Sequence, residues 1–207
     1  MKSELNLQQT MLRAAGLLSL FVVVSVGLLM AVNVFTKPKI AQAERLALLQ
    51  TINQVMPAER YNNSLIDDSI EVEAPEFLGA NQTRIYRARL DNQPAGLVIE
   101  TIAPNGYSGN IYLLVGVFAD GSVAGVRVLS HRETPGLGDK IELRKDNWIL
   151  SFNGKNLTPD NASSWAVRRD RGDFDQFTGA TITPRAIVAA LKNTLEYVNQ
   201  QGAQLYD

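Results

Sequence analysis

From residue 14 to residue 36 the chain reads AAGLLSLFVVVSVGLLMAVNVFT, with no charged side chain between Arg13 and Lys37. About 23 residues at roughly 1.5 Å each cross a ~30 Å hydrocarbon core with a little tilt. No polar face interrupts the run, so it predicts a transmembrane helix rather than a helix of a globular surface. A cleaved signal peptide is the other reading, with Ala41-Gln42-Ala43 as the processing site. The run exceeds a signal core and that site lies well past its end, which favours a retained anchor. The spacing then predicts a helix over residues 40–56, with Leu48, Leu49, Ile52, Val55 and Met56 on one face and Pro57 as the stop. This divides the chain into a tail (1–13), a span (14–36), a connecting helix and linker (37–60) and a soluble domain (61–207).

Residues 61–75 are polar and acidic, and Asp67-Asp68 reads as a solvated loop rather than a metal site. Residues 84–90 alternate, with Tyr86, Ala88 and Leu90 on one face and Arg87 and Arg89 on the other, which predicts a half-buried strand. Asn92-Gln93-Pro94-Ala95-Gly96 is the expected turn, and 97–102 the returning strand. Residues 111–118 and 123–129 flank Asp120-Gly121, a strong hairpin signal. At 131–138 the alternation stops. Pro135, Gly136 and Gly138 predict a tight loop whose backbone can approach a ligand. A helix is expected next, with Ile141 and Trp148 on its apolar face and Arg144 and Lys145 on its basic side. Trp165 and Val167 suggest a short strand, and residues 168–173 a charged loop. Near the end, Thr183 reads as an N-cap and Pro184 as the first helical residue. Ile187, Val188, Leu191, Leu195 and Val198 follow at helical spacing until Gly202. The fold class is α+β: a mostly antiparallel sheet covered by helices, behind one membrane helix.

Composition narrows the chemistry. The chain is 45% apolar, enough for a sizeable core, and its net charge of −1 lacks the basic stripe of a nucleic-acid surface. There is no cysteine and one histidine, so thiolate metal sites and iron–sulfur clusters are excluded and no metal site is expected. Redox chemistry here needs an organic cofactor. A hydrolase is disfavoured, because no base stands next to a plausible nucleophile.

One stretch carries ligand chemistry on local grounds. Thr178-Gly179-Ala180-Thr181 immediately precedes the last helix. A helix N-terminus carries partial positive charge and free N–H groups, so it favours a phosphate. The plainer alternative is a turn followed by a cap.

Asp175-x-x-Thr178-Gly179-Ala180-Thr181 resembles the D-x-x-[ST]-G-A-[ST] sequence at which a flavin transferase attaches FMN. Gly106-Tyr107-Ser108-Gly109, Val123-Ala124-Gly125-Val126 and His131-Arg132-Glu133-Thr134-Pro135-Gly136-Leu137-Gly138 resemble further blocks of the membrane-anchored FMN-binding domain family. That family includes the G subunit of Rnf (Rsx) electron-transport complexes and the C subunit of sodium-pumping NADH:quinone reductases. The resemblance runs from about Tyr86 to the C-terminus, and the chain's length is closer to the former.

The resemblance implies FMN joined through its phosphate to Thr181, with Asp175 read by the transferase. Thr178, Gly179 and Ala180 would surround the phosphate. Glu133 and Thr134 would hydrogen-bond the ring's polar edge, Pro135 and Leu137 would cover an apolar face, Gly136 would let the loop backbone come close, and Lys140 would approach the phosphate or the N1 side. Trp148 and Trp165 can stack on the ring or fill the core. His131 can give a proton or hold structure, and Tyr107 can line the pocket or pack under its hairpin. The implied partners are the other subunits of a membrane electron-transport complex, the flavin transferase and the bilayer. The implied location is the bacterial inner membrane, with the domain in the periplasm. Lys2 and Arg13 before the span balance Lys37, Lys39 and Arg45 after it, so charge leaves orientation open. A cofactor-free, membrane-tethered assembly module is the reading from another class.

Overall fold

A computed structural model describes residues 2–206, with side chains from residue 9 onward. It divides into two compact units, Met1–Ala47 and Leu48–Asp207.

The first unit consists of one helix, α1 (Lys2–Asn53), whose final turns from Leu48 onward belong to the second. The helix passes through Pro38 without a break. Its apolar stretch is unlike a protein interior. Leu17, Phe21, Val23, Leu29 and Phe35 are all exposed. The segment Gln9–Asn53 has a mean hydropathy of 2.5 in its most apolar window, none of which is buried. An apolar wall of this length is compatible with lipid on all sides.

The second unit is built on five antiparallel strands in sequential order: β1 (Ser69–Val72), β2 (Thr83–Leu90), β3 (Gln93–Gly106), β4 (Gly109–Phe118) and β5 (Val123–Ser130). Local turn chemistry sets their register. The β2–β3 connection is the pair Asp91-Asn92, with φ of 51° and 63°, so Leu90 faces Gln93. Both residues tolerate the left-handed region, as a two-residue hairpin requires. The turn therefore falls earlier than the expected 92–96, and Gln93 to Gly96 are already strand. Asp120-Gly121 closes β4–β5 as expected, with Gly121 at φ 82°.

Both faces of the sheet are covered, which is why Leu97-Val98-Ile99 is continuously apolar. One face carries Ile85, Leu97, Ile99, Leu113, Val115 and Val126. It packs beneath Ile187, Val188, Leu191 and Leu195 of the C-terminal helix (Ile182–Gln201) and an aromatic group of Trp148, Phe152, Trp165 and Phe174. The other face presents Tyr86, Ala88, Val98 and Leu114 to Ile52, Val55, Met56 and Leu65. There the chain after α1 sits very close to the sheet. Gly116 of β4 and Gly125 of β5 are register partners. A Cβ at Gly116 would fall 2.1 Å from the Val55 carbonyl oxygen, and one at Gly125 would fall 2.9 Å from Val55 Cα.

Three further expected features differ. Residues 61–75 are not simply a solvated loop. They contain β1 and lead into a short helix, α2 (Pro75–Leu78), so the C-terminal helix Ile182–Gln201 is α3. Asp68 accepts from Arg87 Nε at 2.6 Å and Arg89 Nε at 2.9 Å, fastening this segment to β2. The helix expected after residue 138 is instead two 3-10 turns, Gly138–Ile141 and Asn147–Phe152, which still bury Ile141 and Trp148. Leu90 is 41% exposed, because a bulge between Ala88 and Arg89 ends its alternation with Tyr86 and Ala88.

Candidate functional site

Two turns of the same construction face each other in front of α3. In the first, Pro135 and Gly136 occupy the central positions, Gly136 has φ 78°, and Leu137 N–H donates to the Thr134 carbonyl at 3.2 Å. In the second, Thr178 and Gly179 are central, Gly179 has φ 82°, and Ala180 N–H donates to the Phe177 carbonyl at 3.1 Å. Each matches a type II turn, where the third residue needs positive φ and glycine supplies it. A Cβ on Gly179 would lie 3.8 Å from Leu137 Cδ2, so the turns nearly touch.

A cavity of about 260 Å³ lies between them. Its walls are Tyr107 from the β3–β4 hairpin tip, Glu133, Thr134, Leu137 and Gly138 from the first loop, and Gly179 to Thr183 from the second. Three large apolar side chains stand uncovered at its rim: Tyr107 is 67% exposed, and Leu137 and Ile182 are 45% exposed. A wider groove of about 380 Å³ lies between α2, Pro104 and α3, and shares only Ile182 with this site.

The α3 helix begins two residues earlier than its sequence suggests. Thr181 occupies the N-cap position with φ −68° and ψ −27°, and its side chain makes no capping hydrogen bond. The first i→i−4 bond runs from Arg185 N–H to the Thr181 carbonyl. The N–H groups of Ile182 and Thr183 therefore precede the helix ladder, and Pro184 has none to offer. Thr183 is not the expected N-cap. It is buried inside the first turn, and its hydroxyl donates to Glu133 Oε2.

Glu133 is buried as well, at 4% exposure, and its Oε1 accepts from Ser108 N–H at 2.9 Å. Glu133 N–H donates to His131 Nδ1 at 3.0 Å, and His131 Nε2 lies 2.9 Å from Glu142 Oε1. Because Nδ1 accepts, the ring hydrogen is on Nε2 and is donated to Glu142. Both nitrogens of His131 are thus used in holding the loop. Hydrogen bonding from Arg144, assisted by His131, holds the Glu142 carboxyl down at about 2 against the opposing effect of burial.

Of the residues expected at the site, Glu133, Thr134, Leu137, Gly179, Ala180 and Thr181 line the cavity. Thr178, Gly136 and Lys140 do not, and Lys140 is exposed. Asp175 is exposed and pairs with Arg168 at 2.7 Å. Trp148 and Trp165 are core residues: Trp148 Nε1 donates to the Asp175 carbonyl at 2.7 Å and Trp165 Nε1 to the Asn156 carbonyl at 3.1 Å.

A bracket around the second turn is nearly invisible to local pattern. Arg168 and Asp170 sit on one 3-10 turn, Arg168–Asp170. Arg168 holds Asp175 before the glycine turn, and Asp170 takes both Arg185 Nε (2.6 Å) and Arg185 Nη2 (2.9 Å) after it. The bidentate pair also lowers the Asp170 carboxyl below its ordinary range, Arg185 being the main cause. The mixture of signs in Arg168-Arg169-Asp170-Arg171 is the only hint of it along the chain.

The donor set suits a phosphate-bearing flat ring. N–H groups at a helix start donate to a phosphate, glycine and alanine allow close approach, and the uncovered apolar rim matches a ring face. Sites that engulf a whole ligand usually measure about 300–1,000 Å³, so this one fits a ring left partly open. Comparison with known proteins agrees. Residues 106–196 match the FMN-binding domain, and residues 1–55 match the RnfG N-terminal region. The class defined by fold and site is thus an FMN-binding domain that follows an apolar N-terminal helix. Proteins named as the G subunit of the ion-translocating oxidoreductase complex are similar to it along nearly their whole length. The one from Vibrio cholerae serotype O1 is 50% identical over 199 residues, covering 96% of this chain and 95% of its own. The one from Escherichia coli K12 is 51% identical over 188 residues, covering 91% of each, and that from Shewanella amazonensis 46% over 202, covering 97% and 94%. The chain belongs to this family of G subunits.

Proposed function

We propose that this chain is the electron-carrying G subunit of a membrane-bound, ion-translocating oxidoreductase complex, with FMN esterified through its phosphate to Thr181. The observation that carries this reading is the state of Thr181. Its hydroxyl makes no capping bond although it stands at the start of α3, and it opens onto the cavity between the two glycine turns. The residues of this chain hold the group. Ile182 and Thr183 N–H would donate to the phosphate, while Tyr107, Leu137, Ala180 and Ile182 would border the ring. Bound flavin supplies the capacity to take up and hand on electrons one or two at a time.

A flavin transferase makes the bond. Direct condensation with free FMN would have to expel water, so the donor is a flavin dinucleotide anhydride. The Thr181 Oγ–phosphorus bond forms, the anhydride phosphorus–oxygen bond breaks, a nucleoside monophosphate leaves, and the hydroxyl proton passes to a base on the transferase. Asp175, exposed and ahead of the turn, is available to that enzyme. The domain lies in the periplasm and α1 anchors it in the inner membrane. A covalent bond suits that location, since a flavin lost there has no cytosolic pool from which to be replaced. Residues 14–36 contain no ionisable side chain, so the ion path belongs to other subunits. The names of the relatives favour this complex over the corresponding C subunit of a sodium-pumping quinone reductase.

The test is intact-mass analysis of the full chain co-expressed with a flavin transferase. The mass should rise by one FMN less one water, the denatured band should fluoresce, and Thr181→Val should abolish both. A colourless wild-type protein that still assembles its complex would support a cofactor-free module instead. Orientation is testable because the chain has no cysteine of its own. In Gln82→Cys, an impermeant maleimide should label cells whose outer membrane alone has been opened.

A further inference from the structure

Glu133 is a buried carboxylate, and none of the ion pairs among the described residues includes it. Burying such a group is costly unless donors satisfy it. Its two oxygens are used separately. Oε1 accepts from Ser108 N–H on the β3–β4 hairpin tip, and Oε2 accepts from the Thr183 hydroxyl on α3. The hairpin tip carries Tyr107, and Thr181 stands at the N-cap position of α3 without a side-chain capping bond; both stand on the cavity wall. Two glycines clear space for this carboxylate. A Cβ on Gly106 would lie 2.9 Å from Oε1, and a Cβ on Gly138 would lie 3.1 Å from Oε2 and 2.9 Å from the Thr183 hydroxyl.

Helix starts are commonly held by the N-cap side chain. Here that residue is Thr181, and a capping hydroxyl would be turned inward and engaged. The start of α3 is held by other means: Thr183 to Glu133 inside, and Arg185 to Asp170 outside. The Thr181 hydroxyl is thereby left without a capping role, while its carbonyl still accepts from Arg185 N–H.

We propose that Glu133 and Thr183 are positioning residues for modification of Thr181. Their bond replaces the missing N-cap, so that the Thr181 hydroxyl is free and correctly aimed when the transferase delivers the flavin phosphate. This rests on the reading that Thr181 is the flavin acceptor. Glu133 acts through Thr183 and touches no reacting atom.

The experiment measures flavinylation of the full-length, detergent-solubilised chain by purified transferase with FAD, followed by intact mass. Thr183→Val removes the bond in a side chain of similar shape, and misplacement of a reacting group should slow labelling roughly tenfold or more. Thr183→Ser keeps the hydroxyl and should restore the rate. Thr194→Val is the control. Thr194 is equally buried in the same helix, and its hydroxyl is engaged with the Ala190 carbonyl and Thr101, away from the site. It should lower the unfolding temperature without slowing labelling. Labelling of Thr183→Val at the wild-type rate, or slowed no more than Thr194→Val, would overturn the proposal. Should Thr183→Val fail to fold, Gly138→Ala decides, because it crowds the same bond without deleting a polar group. A slowing of several fold supports positioning, and an unchanged rate refutes it. A wild-type chain that gains no adduct, or gains it at another residue, instead sinks the assignment of Thr181.

Discussion

Gly116→Ala should be among the most damaging single-methyl additions to this chain. The new Cβ would stand 2.1 Å from the Val55 carbonyl oxygen and 2.8 Å from its carbon, against an ordinary contact of 3.4–4 Å. The contacted atoms are backbone, so no side-chain rotation relieves them. Either the sheet flexes at Gly116–Gly125, or the turn after α1 lifts. Lifting that turn strains the bonds from Val55 N–H and Met56 N–H to the Ile52 carbonyl, at 2.9 and 2.8 Å, and loosens the packing of Ile52, Val55 and Met56, all fully buried. Overpacking of this kind costs about 1–3 kcal/mol and more where backbone must move, so about 3 kcal/mol is expected. For a domain of this size that corresponds to a fall of roughly 6–12 °C in Tm. The assay is thermal unfolding of the full chain in detergent, read from Trp148 and Trp165 fluorescence. Gly136→Ala is the comparison. It meets nothing within 4 Å, but sits at φ 78°, so it should cost only about 1 kcal/mol through backbone strain. If Gly116→Ala melts no lower than Gly136→Ala, the close approach of the chain at Val55 is wrong.

Asp68→Asn should destabilise the domain by about 2 kcal/mol in urea unfolding, since it weakens charge-assisted bonds to Arg87 and Arg89, whose side chains are 15% and 21% exposed. Burial raises the Asp68 carboxyl, but hydrogen bonds from Arg89 and Arg87 outweigh it, leaving the group below its ordinary range. The stability it adds is complete above an unfolded value of about 3.9 and disappears as pH falls through the lower folded one, so the variant's stability should vary less with pH below about 4. Tyr86→Phe acts at the other end of the scale. Burial, then the bond to Glu100, raises the Tyr86 hydroxyl, and burial pushes Tyr206 up to about 12. Their contribution is complete below about pH 10 and lost above it, so alkaline unfolding should be blunted in the variant, at a cost of about 1 kcal/mol near neutral pH. Unfolding midpoints measured between about pH 7 and pH 11.5 check this, and a parallel loss in both proteins would refute it.

The elements legible in the sequence are those whose signal is local. Residues 14–36 announce themselves by the absence of charge, Asp120-Gly121 by turn chemistry, and α3 by the spacing of Ile187, Leu191 and Leu195. What local pattern misreads depends on partners distant in sequence. The β1 strand is only four residues long and follows the acidic pair Asp67-Asp68, and it forms because β2 offers an edge and Arg87 and Arg89 hold Asp68. Residues 138–152 have apolar residues at near-helical intervals, yet the chain between them turns twice as 3-10, serving the same burial of Ile141 and Trp148 without an α-helix.

Glu133 shows the limit most clearly. A carboxylate beside Thr134-Pro135-Gly136 reads naturally as a ligand group, because the same loop can bring its backbone to a cofactor. Its oxygens instead face the hairpin tip twenty-five residues back and the helix fifty residues on. Both turns that form the cavity are readable from their glycines. The bond that fixes them relative to each other is not, because it needs Gly106 and Gly138 to leave room for one carboxylate. The turns supply the chemistry of the site, while its geometry comes from a group that local pattern alone assigns to the ligand. The same carboxylate accounts for Thr183, which resembles a cap of α3 because it precedes proline. With Glu133 as its partner it serves inside the first turn, and the exposed end of the helix is left to Thr181.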